Sequence, residues 1–321
     1  MAGSGTAVAP RATADAWYSP PVLWDAPAPP PPDAPPPPTR AQLGTVLAPT
    51  PAIALALDGN HLYALSAIDS IVVSIDVATG AVTPIDKDPE LRGLPGGILA
   101  GPDGLYWDLQ RGDDCTIVHA DPAKHVAPAT VAVAYGATGP MAMDARQLYL
   151  AGRRGLDRLD KKTANNVNVT TNKLGVTSLA TDADNLYWIE LNAAGDSAIM
   201  TAKKAGGAPG TILKSPDVGK AARSIVLDGG TLYWSRGTEV VAMAKAGGAV
   251  KSLVTSSKAI GELAVIGANL YWIENDEALG TAPKAGGAAK ILGWADHAAG
   301  LVSDGKTLYW GTPFDVRKLA I

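Results

Sequence analysis

The sequence predicts an all-β fold, a seven-bladed β-propeller of four-stranded antiparallel blades. Three observations predict it. A Leu-Tyr pair recurs seven times, with its tyrosines at Tyr63, Tyr106, Tyr149, Tyr187, Tyr233, Tyr271 and Tyr309, spaced 38 to 46 residues apart. Trp follows the pair in five of the seven copies. A short apolar stretch carrying alanine precedes it, as at Ala54, Ala56, Ala142, Ala180 and Ala264. A period of about 40 residues with one aromatic strand per unit is the mark of a propeller blade.

The chain divides at its composition. Residues 1–41 form a Pro-rich tail, expected to be largely disordered or extended, and residues 42–321 form the propeller. Pro27 to Pro38 contains only Pro, Ala and Asp. Such a run has few backbone donors and favours an extended polyproline helix. At roughly 3.1 Å per residue its twelve residues span about 37 Å as a semi-rigid spacer. Upstream, Trp17, Tyr18 and Trp24 are either incidental aromatics of a disordered tail or a docking segment for the propeller, a partner or a second copy.

Within each blade the innermost strand is small and apolar because blades converge on the axis. It runs through 53–57, 141–143, 178–180, 225–227 and 263–265. The second strand carries Leu-Tyr-Trp. With a period of two, Leu and Trp face one neighbouring blade and Tyr faces the other. Both faces are buried, so the strand does not alternate with polar residues. Ala64 and Leu150 replace Trp in the first and third blades. The third strand follows, at 71–75, 116–120, 199–202 and 240–244, and then a turn. That turn is Lys-Ala-Gly-Gly in three consecutive blades, beginning at Lys204, Lys245 and Lys284. Glycine supplies the positive φ a tight hairpin needs. The outer strand comes last, as at 210–214 and 251–254. The seventh blade ends after its third strand. Gly44-Thr45-Val46-Leu47 matches the outer-strand sequence Gly210-Thr211-Ile212-Leu213. Residues 43–47 are therefore expected to pair with the last blade and close the ring, removing an open edge.

Bulk properties narrow the partners. A net charge of -4 and a pI near 5.6 argue against a nucleic-acid partner or an anionic membrane. No apolar run reaches the length of a membrane span. Cys115 is the only cysteine, so no intramolecular disulfide forms. The first residues lack the basic start and apolar stretch of a signal peptide.

The order of apolar strand, Asp-bearing turn, Leu-Tyr-Trp and Gly-rich turn resembles the YWTD, NHL and TolB-like propellers, and is most similar to repeat proteins of bacterial envelopes with "LYW…GG" blades. The resemblance covers residues 43–321. It implies binding of a protein, peptide or glycan, with hydrolase or lyase activity in a minority of members. It also implies export to the periplasm, outer-membrane surface or medium behind a Pro-rich linker. The sequence departs from the YWTD pattern after Tyr-Trp, where Asp108, Ile189-Glu190, Ser235, Ile273-Glu274 and Gly311 stand in place of Thr-Asp.

Candidate chemistry lies outside the repeat pattern or on its rim. Asp58, Asp144, Asp182, Asp228 and Asp304 each precede their Tyr by five residues. They are read as acceptors for turn N–H groups, the alternative being a carboxylate ring for metal or catalysis. Lys204, Lys245 and Lys284 are read as solvated hairpin tips, the alternative being an anion-binding arc. No histidine has a metal-ligand spacing, so neither metal nor cofactor is expected. Trp294 and His297 sit in the crossing into the seventh blade, where an exposed Trp suits a sugar ring or aliphatic side chain. Asp108, Arg153, Glu190, Arg236 and Glu274 are placed on the same face as a charged rim. The candidate ligand-binding set is therefore Trp294, His297, Glu190, Glu274, Asp108, Arg236 and Arg153, with no catalytic residue assigned. The function expected is a non-enzymatic binding or scaffold propeller. The alternatives are a hydrolase or lyase at the channel mouth and a structural subunit assembling through its tail.

Overall fold

The computed structural model describes residues 42–321 apart from 67–70, 87–93, 112–113, 125, 136–138, 153–154, 171–174, 193, 195, 216 and 220–221. The Pro-rich tail with Trp17, Tyr18 and Trp24, and the candidate Arg153, lie outside the described residues.

Seven four-stranded antiparallel sheets form a ring, and the protein is a seven-bladed β-propeller. Innermost strands contact their neighbours in order all the way round, the first blade's Ala54–Asp58 meeting the last blade's Ala299–Ser303. The fourth blade shows the pattern: Gly175–Thr181 innermost, then Asn185–Leu191, Ser197–Lys203 and Gly210–Lys214. The seventh consists of Ala299–Ser303, Thr307–Gly311 and Val316–Ala320, with Thr45–Ala48 as its outer strand. That strand pairs antiparallel with Val316–Ala320, setting Thr45 opposite Lys318 and Val46 opposite Arg317. It starts two residues later than the sequence suggested. Leu43 instead donates its N–H to the Trp294 carbonyl at 2.6 Å, tying the entering chain to the sixth blade.

Each seam between blades repeats one packing unit. Tyr187 packs with Leu232 and Trp234 of the next blade, Tyr233 with Leu270 and Trp272, and Tyr271 with Leu308 and Trp310. Tyr63 meets Leu105 and Trp107, and Tyr149 meets Leu186 and Trp188. All five of these tryptophans are fully buried. The alternation of the second strand explains the arrangement: Leu and Trp point one way and Tyr the other. Where Ala64 replaces Trp, Leu47 and Ala48 of the closing strand join the same cluster.

Near the axis the innermost strands bulge. Pairing with the second strand breaks register at Val176/Ser178, Arg223/Val226, Ile260/Leu263 and Ala299/Val302. A bulge re-aims the side chains beside it. Ser178 Oγ accepts the Ile225 N–H, and Ser224 Oγ accepts the Leu263 N–H, both at 2.8 Å. Glu262 accepts from Gly300 and Leu301 at 3.0 and 2.8 Å. These bonds run from blade to blade, a polar belt around the axis that periodicity alone does not reveal.

Candidate functional site

In an up-and-down blade, the loops between second and third strands open on the same face as the crossings between blades. The candidate residues were placed on that face, and the structure distributes them round it. Trp294 and His297 fall at one corner, between the sixth and seventh blades, whereas Glu274, bonded to Ser256 and beside Trp272, faces the seam between the fifth and sixth. Glu190, Arg236 and Asp108 belong to the fourth, fifth and second blades.

Trp294 is not in the crossing, as its position outside the repeat suggested. It ends the outer strand Lys290–Trp294, opposite Ala278, which in turn lies opposite Glu274. A bridge to Gln42 continues the pairing beyond it. His297 does lie in the crossing, half-buried, with Nδ1 2.6 Å from Asp296 Oδ1. Its φ is +49°, and Asn275 and Asp276 in the adjacent hairpin have φ of +50° and +54°. Asn, Asp and His are the non-glycine residues that enter this left-handed region most readily. Among the described residues, three of the five that do so are at this corner.

The carboxylates expected as part of a charged rim are buried. Glu190 accepts the Trp188 indole N–H at 3.2 Å. Glu274 accepts the Ser256 hydroxyl at 2.5 Å and lies 3.5 Å from the Trp272 indole nitrogen. Two residues apart on one strand face, Glu and Trp are natural partners. Asp108 is 1 % exposed and accepts the Gly97 N–H at 2.5 Å. Burial pushes its carboxyl up to about 7, against the Gly97 and Cys115 hydrogen bonds that favour the charged form. Burial first, and then the Asp108 charge, also push the Cys115 thiol up, away from a reactive thiolate. Arg236 is held by Glu239 at 2.9 Å and the Asp217 carbonyl at 2.7 Å.

Phe314 was not singled out by sequence. It is the only phenylalanine in the chain and is 72 % exposed. It tips the hairpin between second and third strands of the seventh blade, on the same face as Trp294 and His297. Thr312 Oγ accepts the N–H groups of Phe314 and Asp315 at 3.1 and 3.0 Å and donates to Asp315 Oδ1 at 2.8 Å. Arg317 Nε pairs with the same carboxylate at 3.2 Å. The ring is thus presented on a braced turn. The available signal was the isolated aromatic in Thr312-Pro313-Phe314-Asp315.

The opposite face carries a repeated clasp. Asp144 accepts the N–H groups of Arg146 and Gln147 and the Tyr149 hydroxyl, each at 2.9 Å. Asp182 and Asp304 hold their turns and tyrosines in the same way. The expected turn chemistry is present there. The lysines, by contrast, are not free hairpin tips. Lys204 reaches Asp144 at 2.9 Å, Lys245 reaches Asp182 at 2.7 Å and Lys284 reaches Asp228 at 2.6 Å, each across a seam. Lys161 does the same to Asp103 at 3.0 Å and is only 5 % exposed. Among the described residues, no group of three or more His, Cys, Asp or Glu is placed to hold a metal ion.

No protein-family profile matches the chain, and no curated protein matches it in sequence. Solved structures share its fold. One is a nidogen/laminin complex, at 16 % identity and a TM-score of 0.52, over 67 % of this chain and 89 % of that one. Another is BamB from Moraxella catarrhalis, at 16 % identity and a TM-score of 0.54, over 86 % and 82 %. A third is PorZ of Porphyromonas gingivalis, a surface component of the type-IX secretion system, at 15 % identity and a TM-score of 0.60. The match covers 86 % of this chain and 37 % of PorZ. At such identities the likeness shows the architecture alone.

Proposed function

We propose that the protein is a non-enzymatic binding propeller that engages a protein or peptide on the face that carries Trp294, His297 and Phe314. The observation that carries the reading is Phe314, held in the open on a hydrogen-bonded hairpin. Aromatic anchors dominate protein interfaces. A braced anchor loses little freedom on binding, so more of its contact energy appears as affinity. One structural neighbour is a nidogen/laminin complex and another is a bacterial surface component, which agrees with a partner-binding role and with export. The Pro-rich tail then acts as the tether.

A photo-crosslinking residue at position 314 tests this against one at the exposed Ala208 on the other face. The expected result is a discrete adduct from position 314 only. The purified partner should then lose about tenfold or more in affinity for Phe314→Ala, whose melting temperature stays that of the wild type. Equal labelling from both faces, or unchanged affinity of Phe314→Ala and His297→Ala, would refute the assignment. A glycan partner would show as no protein adduct together with sugar-dependent quenching of Trp294.

A further inference from the structure

Among the described residues three seams lack the lysine–aspartate clasp, and the one between the first and second blades gathers two carboxylates. The clasp lysines are fixed in register: the N–H groups of Lys161, Lys204, Lys245 and Lys284 each bond a carbonyl in their own blade's first turn. Val77 and Ile321 make the same bond in the first and seventh blades. In the second blade Leu105 pairs with Ala120, so Gly104 falls opposite Asp121 and Pro122 takes the lysine's place.

Four seams have a Lys–Asp pair. The seam between sixth and seventh blades has neither partner, Ile266 standing in the acid's place and Ile321 in the lysine's. At the seam between seventh and first blades Asp304 has no clasp lysine, but the Lys306 and Thr307 N–H groups and the Tyr309 hydroxyl occupy its carboxylate, and Lys318 brings its ammonium to the Val77 carbonyl at 3.3 Å. The residue aligned with Lys318 in the first blade is Ser74. The first seam therefore carries Asp58, Tyr63 and Asp121 with no clasp lysine from either side. Lys124 is nearby, but it pairs with Asp121 at 2.6 Å and is 65 % exposed.

A cleft of about 130 Å³ opens there, lined by Asp58, Tyr63, Gly104, Asp121, Pro122 and Lys124 among others. Among the described residues, Asp58 and Tyr63 make no side-chain hydrogen bond that would occupy them. Burial, and then the charges of Asp58 and Asp121, push the Tyr63 hydroxyl pKa up, so the ring lies within reach of both carboxylates' fields. Asp228 sets the precedent for Asp58. Both precede a two-residue turn whose first glycine has φ of +57° at Gly229 and +56° at Gly59. Asp228 accepts a lysine ammonium at 2.6 Å.

We propose that this cleft binds a primary ammonium group, with Asp58 as its ion-pair partner, Tyr63 as a second acceptor and Asp121 adding negative field. The group is either a lysine side chain of another polypeptide or a small alkylammonium. The site reproduces between molecules the contact that four other seams make within the chain. It lies on the face opposite Phe314 and does not depend on the binding role proposed there.

The test uses the full chain with n-butylammonium, N-acetyl-lysine methylamide and a lysine-containing tripeptide, followed by the amide NMR shifts of residues 58–63, 121, 123 and 124. Saturable, salt-sensitive shifts are expected with all three, and none with N-acetyl-norleucine methylamide. Asp58→Asn should weaken binding by about tenfold or more. Pro122→Lys should restore the clasp and abolish amine binding, a result that mere destabilisation of the seam would not give if its melting temperature is unchanged or raised. Tighter binding of the tripeptide than of butylammonium assigns the site to a protein lysine, and equal binding assigns it to small amines. Norleucine binding as well as lysine, amine binding that survives in both variants, or Ca²⁺ alone producing the shifts would overturn the proposal. So would an amine-insensitive wild type in which Lys124 moves to Asp58.

Discussion

A carboxyl as deeply buried as Asp108 keeps its proton better in the folded chain than in the unfolded one. With a folded value of about 7 against about 4 unfolded, the native state binds the extra proton in between. Stability from this group is therefore greatest at acid pH and declines as pH rises towards 7. Asp108→Asn keeps an acceptor for the Gly97 N–H and removes the titration. Its melting temperature should exceed that of the wild type by a margin that widens between about pH 5 and pH 8. A constant margin would place the charged form elsewhere. The sequence showed that Glu190 and Glu274 occupy equivalent positions, but not that they serve the indoles beside them. The signal was a Glu two residues after a Trp. Trp107 and Trp310, followed at that spacing by Leu109 and Thr312, have indole nitrogens without a partner among the described residues.

At the scale of the element, the second strand was readable because its period of two and its aromatic content report burial on both faces. Truncating Trp234, fully buried between blades, to Ala should cost about 3–5 kcal/mol in chemical denaturation. The clasps were harder to read. Lys-Ala-Gly-Gly identified a turn, but the carboxylate that fixes each lysine lies one blade earlier in the chain. In the second blade the acid also shifts, from the position of Gly101 to Asp103, which bonds Tyr106 at 3.0 Å. For Asp144, burial opposes ionisation, yet the Arg146 and Gln147 N–H groups, Lys204 and Tyr149 outweigh it and hold the carboxyl near 2. Its stabilising effect is complete above the usual carboxylate range and fades as pH falls towards 2. Lys204→Met should lower stability at neutral pH by about 1 kcal/mol or less. Thermal melts should show that deficit vanish near pH 2.

For the molecule as a whole, blade number and closure were legible because each blade announces itself with one tyrosine and the unmatched strand had a visible counterpart. The corner at Trp294 was not. Its bridging partner Gln42 is far away in sequence, and a residue outside the repeat gave no sign of joining a sheet. Closure also carries stability, since Leu47 and Ala48 are buried in the seam between last and first blades. Deleting residues 1–48 should lower the melting temperature by about 5 °C or more relative to deleting 1–41, from the loss of at least one buried leucine. Equal melting temperatures would show the strand to be dispensable.

The entry of the chain also decides where mechanical load goes. Tension applied through the tail arrives at Gln42, whose side-chain oxygen accepts the Asp296 N–H at 3.3 Å, and at Leu43, bonded to Trp294. Arg317 adds a grip on the Leu43 carbonyl at 3.0 Å. These anchors belong to the sixth and seventh blades and precede the closing strand. A pull from outside is thus shared by two neighbouring sheets before any rung of Thr45–Ala48 is strained, as a rope is belayed before it reaches its knot.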